Sequence, residues 1–81
     1  MLHFKAKVER LYVHSNGVSI RLKGKGDGYF DLPNGHQNYH ALYSLALLAV
    51  AKNFTLWIRT TEERAEQSDV NVDLSYMVIE R

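Results

Sequence analysis

Between about Gln37 and Lys52 the chain runs almost without a polar break, and strand-like segments flank it on both sides. Wound as a helix at about 100° per residue, Leu48, Ala41, Leu45, Ala49, Leu42, Ala46, Tyr39, Val50, Tyr43 and Leu47 sweep an apolar arc of roughly 260°. Only His40, Ser44 and Ala51 fill the remaining wedge, with Lys52 at the end. A helix that rests on one core needs an apolar stripe little wider than about 100°. The sequence therefore predicts a fold in which this helix plugs a core and a second partner covers the rest of it. Another copy of the chain is the simplest cover.

Size sharpens the point. A single domain, residues 1–81, is expected. A chain this short buries only about 60–65% of the surface its unfolded form exposes. Disulfides, a structural metal or self-association usually supply the missing stability. Cysteine is absent, which removes the first and the common zinc sites, so a homo-oligomer is expected. Leu42, Tyr39, Tyr43, Ala46 and Val50 are expected to face the protomer's own core. Ala41, Leu45, Leu48 and Ala49 are expected at the subunit interface, where the alanines allow close approach.

The flanking segments read as strands. Leu2, Phe4, Ala6 and Val8 are apolar at even positions, and at Leu11 and Val13 the phase moves to odd ones. Such a slip within one extended run predicts a bend or bulge. Asn16-Gly17 is a strong hairpin signal. A two-residue turn there would pair Val13 with Ile20 and Leu11 with Leu22 in the core, with Tyr12 beside Arg21 outside. A glycine-rich connection, Lys23–Gly28, leads to a third strand at Tyr29–Leu32. Asn34 with Gln37 three residues on resembles a capping box, and Asn53 is suited to close the helix in a left-handed conformation. Phe54, Leu56 and Ile58 alternate with Thr55, Trp57 and Arg59 as a fourth strand. After a polar, acidic loop, Val70, Val72, Leu74, Tyr76 and Val78 make a fifth. Three antiparallel strands, a helix and two more strands predict a mainly β fold with one helix: a five-stranded OB-like Greek-key barrel in the order βββαββ. An open sheet with the helix on one face is the alternative.

Net charge is +1, but residues 1–28 hold six basic and two acidic side chains whereas residues 29–81 hold four and seven. That asymmetry admits an acidic partner without the strongly basic character of a dedicated nucleic-acid binder. The longest uncharged apolar run, Ala41–Ala51, falls short of the roughly 20 residues a bilayer span needs, so no membrane insertion is expected. The N-terminus lacks a signal-peptide core, which reads as cytoplasmic as written, or secreted if a leader was removed.

No motif points to catalysis. His36 and His40 share a helical face but lack the HExxH pattern and a third ligand, so neither a metal nor a cofactor is expected. Gly24, Gly26 and Gly28 lead into a strand rather than a helix N-terminus and read as a plain loop. No serine lies in a nucleophile-elbow motif. Two surface pairs stand out instead as ligand candidates. Tyr12 and Arg21 sit on a basic, aromatic hairpin of the kind that stacks the bases of single strands, and Trp57 with Arg59 projects from the outward side of the fourth strand, where burial at an interface is expected first and sugar or base stacking next.

Tyr29-Phe-Asp-Leu-Pro33, Asn38-Tyr-His-Ala-Leu-Tyr-Ser-Leu45 and Trp57-Ile-Arg-Thr-Thr61, in that order, give most of the chain a recognisable pattern. It resembles small bacterial proteins of unknown function, including those encoded by mobile gene cassettes. The architecture this implies is similar to that of the pentameric B subunits of bacterial toxins. The resemblance implies a non-enzymatic, self-assembling binding module, such as a pentamer, for a glycan or another protein. A single-stranded nucleic-acid-binding OB protein is the competing expectation, and a small hydrolase or isomerase the least favoured.

Overall fold

The computed structural model describes all 81 residues. The even-position apolar residues at the start become β1 (His3–Ala6), with Phe4 buried. After a break at Lys7 the chain re-enters the sheet as β2 (Val8–His14). Register against β3 (Gly17–Leu22) shifts between Val8 and Arg10, so the change of apolar phase is a bulge. One long bent strand was expected; the break makes it two, and the sheet has six strands rather than five.

The hairpin turn also starts a residue earlier than expected. Ser15 and Asn16 form it, His14 faces Gly17, and the pairs are Val13 with Val18, Leu11 with Ile20 and Val8 with Leu22. The expected pairings of Val13 with Ile20 and Leu11 with Leu22 are therefore incorrect. Gly17 is the reason: its φ is +142°, and a Cβ there would collide with the Leu32 carbonyl oxygen. Only glycine fits at the closing position, opposite Pro33 of the next strand. Each strand keeps its faces, because the partner moves by two residues. Val18, Ile20 and Leu22 are buried while Val13 is exposed, and Arg21 lies opposite Arg10 rather than Tyr12.

Short β4 (Phe30–Pro33) follows, then α1 (Tyr39–Lys52), β5 (Thr55–Thr60) and β6 (Val72–Glu80). The strand order is β1-β5-β6-β4-β3-β2. All neighbours are antiparallel except β4 and β6, which run parallel over two register pairs, Phe30 with Val72 and Asp31 with Asp73. The result is a curled, mixed sheet. Its inner face supplies Phe4, Ile20, Leu22, Phe30, Leu32, Leu56, Ile58 and Leu74 to the core.

The helix closes that core with Leu42, Ala46 and Ala49, while Tyr39, Tyr43 and Leu45 pack partly against it. Ala49 and Leu45, expected at a neighbour, thus serve their own protomer, and Val50, expected inside, is exposed. The helix is rotated toward its alanines, whose small side chains let it sit close to the sheet. Ala41, Leu47 and Leu48 remain exposed. Asn53 ends the helix at φ 55°, ψ 39°, as expected. The capping box does not form. Asn38 is the first flanking residue and makes no side-chain cap, and the Asn34 amide instead donates to the Ser15 carbonyl at 3.4 Å.

Arg64 holds the remaining loops together. Its guanidinium is buried at 5% exposure and donates to the carbonyls of Lys25, Ser68, Val70 and Ala65. It also lies 4.7 Å from the centre of the Phe30 ring. Burial lowers its pKa from the ordinary arginine value, while Glu66 and Asp69 act in the opposite direction. The glycine loop is thus a packing element: a Cβ at Gly26 would run into the Ser68 carbonyl. No helix is long and apolar enough to cross a membrane.

Candidate functional site

Strand alternation that buries Val18 and Ile20 must turn Ser19 to the other face, and Phe30 and Leu32 do the same for Asp31. Register then aligns them. Tyr12 of β2 is the partner of Ser19, Ser19 of Asp31, and Asp31 of Asp73. One row of side chains crosses four strands on the outer face of the sheet. It forms part of an open cleft of about 620 Å³, whose lining also includes His14, Tyr29 and Asn71.

Hydrogen bonds give this row a direction. The Asn16 backbone N–H donates to His14 Nδ1 at 3.3 Å, so the ring's other nitrogen, Nε2, carries the proton. It meets Ser19 Oγ at 2.9 Å. Ser19 Oγ in turn donates to Asp31 Oδ1 at 2.6 Å, short as suits a carboxylate acceptor. The serine hydroxyl therefore receives the histidine N–H and gives its own proton to the Asp31 carboxylate. Ser19 is only 6% exposed. It fixes one oxygen of Asp31, which itself lines the cleft. Asp73, exposed on β6, adds a second carboxylate. Asn71 spans toward the same wall, its side-chain oxygen accepting the Tyr29 N–H at 2.8 Å.

Aromatic rings border these acceptors. Tyr12 and Tyr29 lie 6.2 Å apart, centroid to centroid, and Tyr12 is 54% exposed. Arg21 stacks over Tyr29 at 4.7 Å, and Arg10 Nη1 donates to the Tyr29 hydroxyl at 3.2 Å. That hydrogen bond is the first cause of a raised Arg10 pKa.

Of the four ligand candidates read from sequence, Tyr12 and Arg21 meet here through Tyr29. Trp57 and Arg59 do not join them. They sit on β5 with β1 and β6, where the His3 ring stacks on Trp57 at 4.9 Å and 12°. Arg59 Nη1 donates to His3 Nε2 at 2.9 Å, and the Tyr76 ring lies edge-on to Trp57 at 6.5 Å. Trp57 is half-covered by its own protomer. His36 is engaged on both nitrogens, Nδ1 accepting from the Asn38 N–H at 3.0 Å and Nε2 reaching the Ser75 carbonyl at 3.1 Å.

Sequence reasoning missed His14, Ser19, Asp31, Tyr29, Asn71 and Asp73. The signal for Ser19 and Asp31 was present, since each is a polar residue between two apolar ones on neighbouring strands. Asp73, between Val72 and Leu74, carried the same signal, but its place beside Asp31 depends on the parallel pairing of β4 with β6. No protein-family model, curated protein or solved structure matches this chain.

Proposed function

We propose that this protein is a non-catalytic sugar-binding module that assembles with copies of itself, built on a five-stranded Greek-key barrel of the OB type and similar to the B subunits of bacterial toxins. The barrel reading counts β1 and β2 as one bent strand. They are separated only by Lys7 yet stand at opposite ends of the strand order, and the helix falls between β4 and β5. In such barrels the face of the second and third strands, with two flanking loops, takes oligosaccharides or oligonucleotides. The cleft lies on the corresponding face, across β3 and β4, beside the Ser15-Asn16 turn and the segment leading into β6.

The observation that carries the sugar reading is the row Tyr12, Ser19, Asp31, Asp73. Tyrosine rings offer flat apolar faces to a pyranose. Fixed carboxylates accept from its hydroxyls, and charge-assisted hydrogen bonds of this kind are the strong ones. The competing reading, a single-stranded nucleic acid, is favoured by Arg10, Arg21 and the two tyrosines, but Asp31 and Asp73 would repel its phosphates.

Titration calorimetry against a panel of neutral and acidic oligosaccharides, with a single-stranded oligonucleotide alongside, separates the two. Asp31→Asn is expected to weaken sugar binding about tenfold while leaving the fold intact. Binding of the oligonucleotide alone, lost steeply as salt rises, would replace the sugar reading. Self-assembly rests on Leu47 and Leu48, 46% and 43% exposed. Burying each leucine fully is worth about 1.5–3 kcal/mol.

A further inference from the structure

Like charges set directly across a strand pair destabilise a sheet, yet Arg10 of β2 stands opposite Arg21 of β3. The carboxylate that compensates them is Glu9, ion-paired with Arg21 Nη1 at 3.7 Å, a distance too long for a hydrogen bond. Arg21 Nε is buried with no acceptor at all, an expense that native proteins seldom accept without a purpose. Both guanidiniums are nevertheless held in place. Tyr29 accepts from Arg10 through its hydroxyl and lies under Arg21 with its ring. The Arg21 side chain is only 19% exposed, so its position is set by packing.

Tyr29 lines the cleft, and although neither arginine is itself part of that lining, both contact Tyr29, so two cations beside a single carboxylate stand next to the place where a sugar ring would rest. We propose that Arg10 and Arg21 form an anion subsite of that cleft, and that the ligand is a uronate, a pyranose bearing a carboxylate on its ring. This rests on the sugar-binding reading of the cleft. The chemistry is divided in space. Arginine forks match the planar carboxylate, and Asp31 and Asp73 accept from the hydroxyls of the same or the adjoining sugar. A ligand charged at every unit along its backbone would have to lie across those two carboxylates. A ligand that alternates a local anion with free hydroxyls does not.

The test uses the intact protein, calorimetry at low salt and four probes: a neutral disaccharide extended by one terminal uronate, its methyl ester, a sulfated neutral trisaccharide and a single-stranded oligonucleotide. The acid is expected to bind at least tenfold more tightly than the ester. Arg10→Gln, on an exposed side chain, should weaken the acid severalfold and leave the ester unchanged. Arg10→Gln with Arg21→Gln should bring the acid down to the affinity of the ester, with circular dichroism and thermal melting confirming the fold. Glu9→Gln should tighten the acid. Equal affinity for acid and ester, or an acid preference undiminished in the double variant, overturns the anion subsite while the sugar cleft stands. Tighter binding of the sulfated sugar overturns the carboxylate assignment. If no saccharide binds, or only the oligonucleotide does, the subsite and the sugar reading fall together.

Discussion

At residue scale, two positions carry more of the structure than their size suggests. Gly17 holds a backbone conformation that a side chain rarely adopts, φ +142°, directly against the Leu32 carbonyl. Gly17→Val adds backbone strain to that collision and is expected to cost about 2–4 kcal/mol, read as a shift in the denaturant midpoint with an unchanged slope. Arg64 is the other. Arg64→Met keeps the stem over Phe30 but leaves the carbonyls of Lys25 and Val70 without this donor and Ser68 with the Gly28 N–H alone. A loss of about 3 kcal/mol in chemical denaturation is expected, since each buried group left unpaired costs roughly 1–3 kcal/mol. Its sequence context gave no hint of this. Arg64 stands in a polar, acidic stretch, Thr60–Asp69, where a solvated side chain is the ordinary reading. Gly17 was legible as a turn glycine, but the atom that demands it belongs to a strand fifteen residues away, and no local pattern reports that.

At the scale of elements, alternation and helical periodicity revealed which segments are strands and helix, and left their rotation and register open. The hairpin faces followed from period two, whereas the pairing depended on where the turn began. In α1 the apolar arc was too wide to indicate which third of it faces the sheet, and the alanines won because they permit the closest approach. Leu42 is buried and Leu48 is 43% exposed, which makes them a matched pair of probes. Leu42→Glu should unfold the protomer or lower its melting temperature severely, because an unpaired carboxylate would enter the core. Leu48→Glu should leave the melting profile of the isolated protomer nearly unchanged and shift the assembly to monomer in light scattering. A wild-type monomer at tens of micromolar would remove the self-assembly proposal and leave the exposed leucines unexplained. Of the candidate site, the tyrosine and arginine of the hairpin could be read from strand patterning. The outward turn of Asp31 and Asp73 was legible in the same way, but their adjacency was not, for it is made by two strands whose pairing is parallel and distant in the chain.

Across the whole molecule, the sheet divides into a portion made by near neighbours in sequence and a portion made by remote ones. β2, β3 and β4 follow one another antiparallel, while β1 meets β5, and β4 meets β6, only after long stretches of intervening chain. Closing long loops is slow, because their entropy is lost before any contact rewards it. The ladder between β4 and β6 has just two register pairs, so this seam is expected to open more readily than the hairpin ladders. Amide exchange should report this directly: the Val72 N–H, which donates to the Tyr29 carbonyl at 3.1 Å, should open at a lower free energy than the Ile20 N–H inside the hairpin. Asp31 and Asp73 stand on the two sides of that seam. A ligand that grips both carboxylates would act as a rivet through it, and its binding would be felt as slower breathing of the joint as much as by occupancy of the cleft.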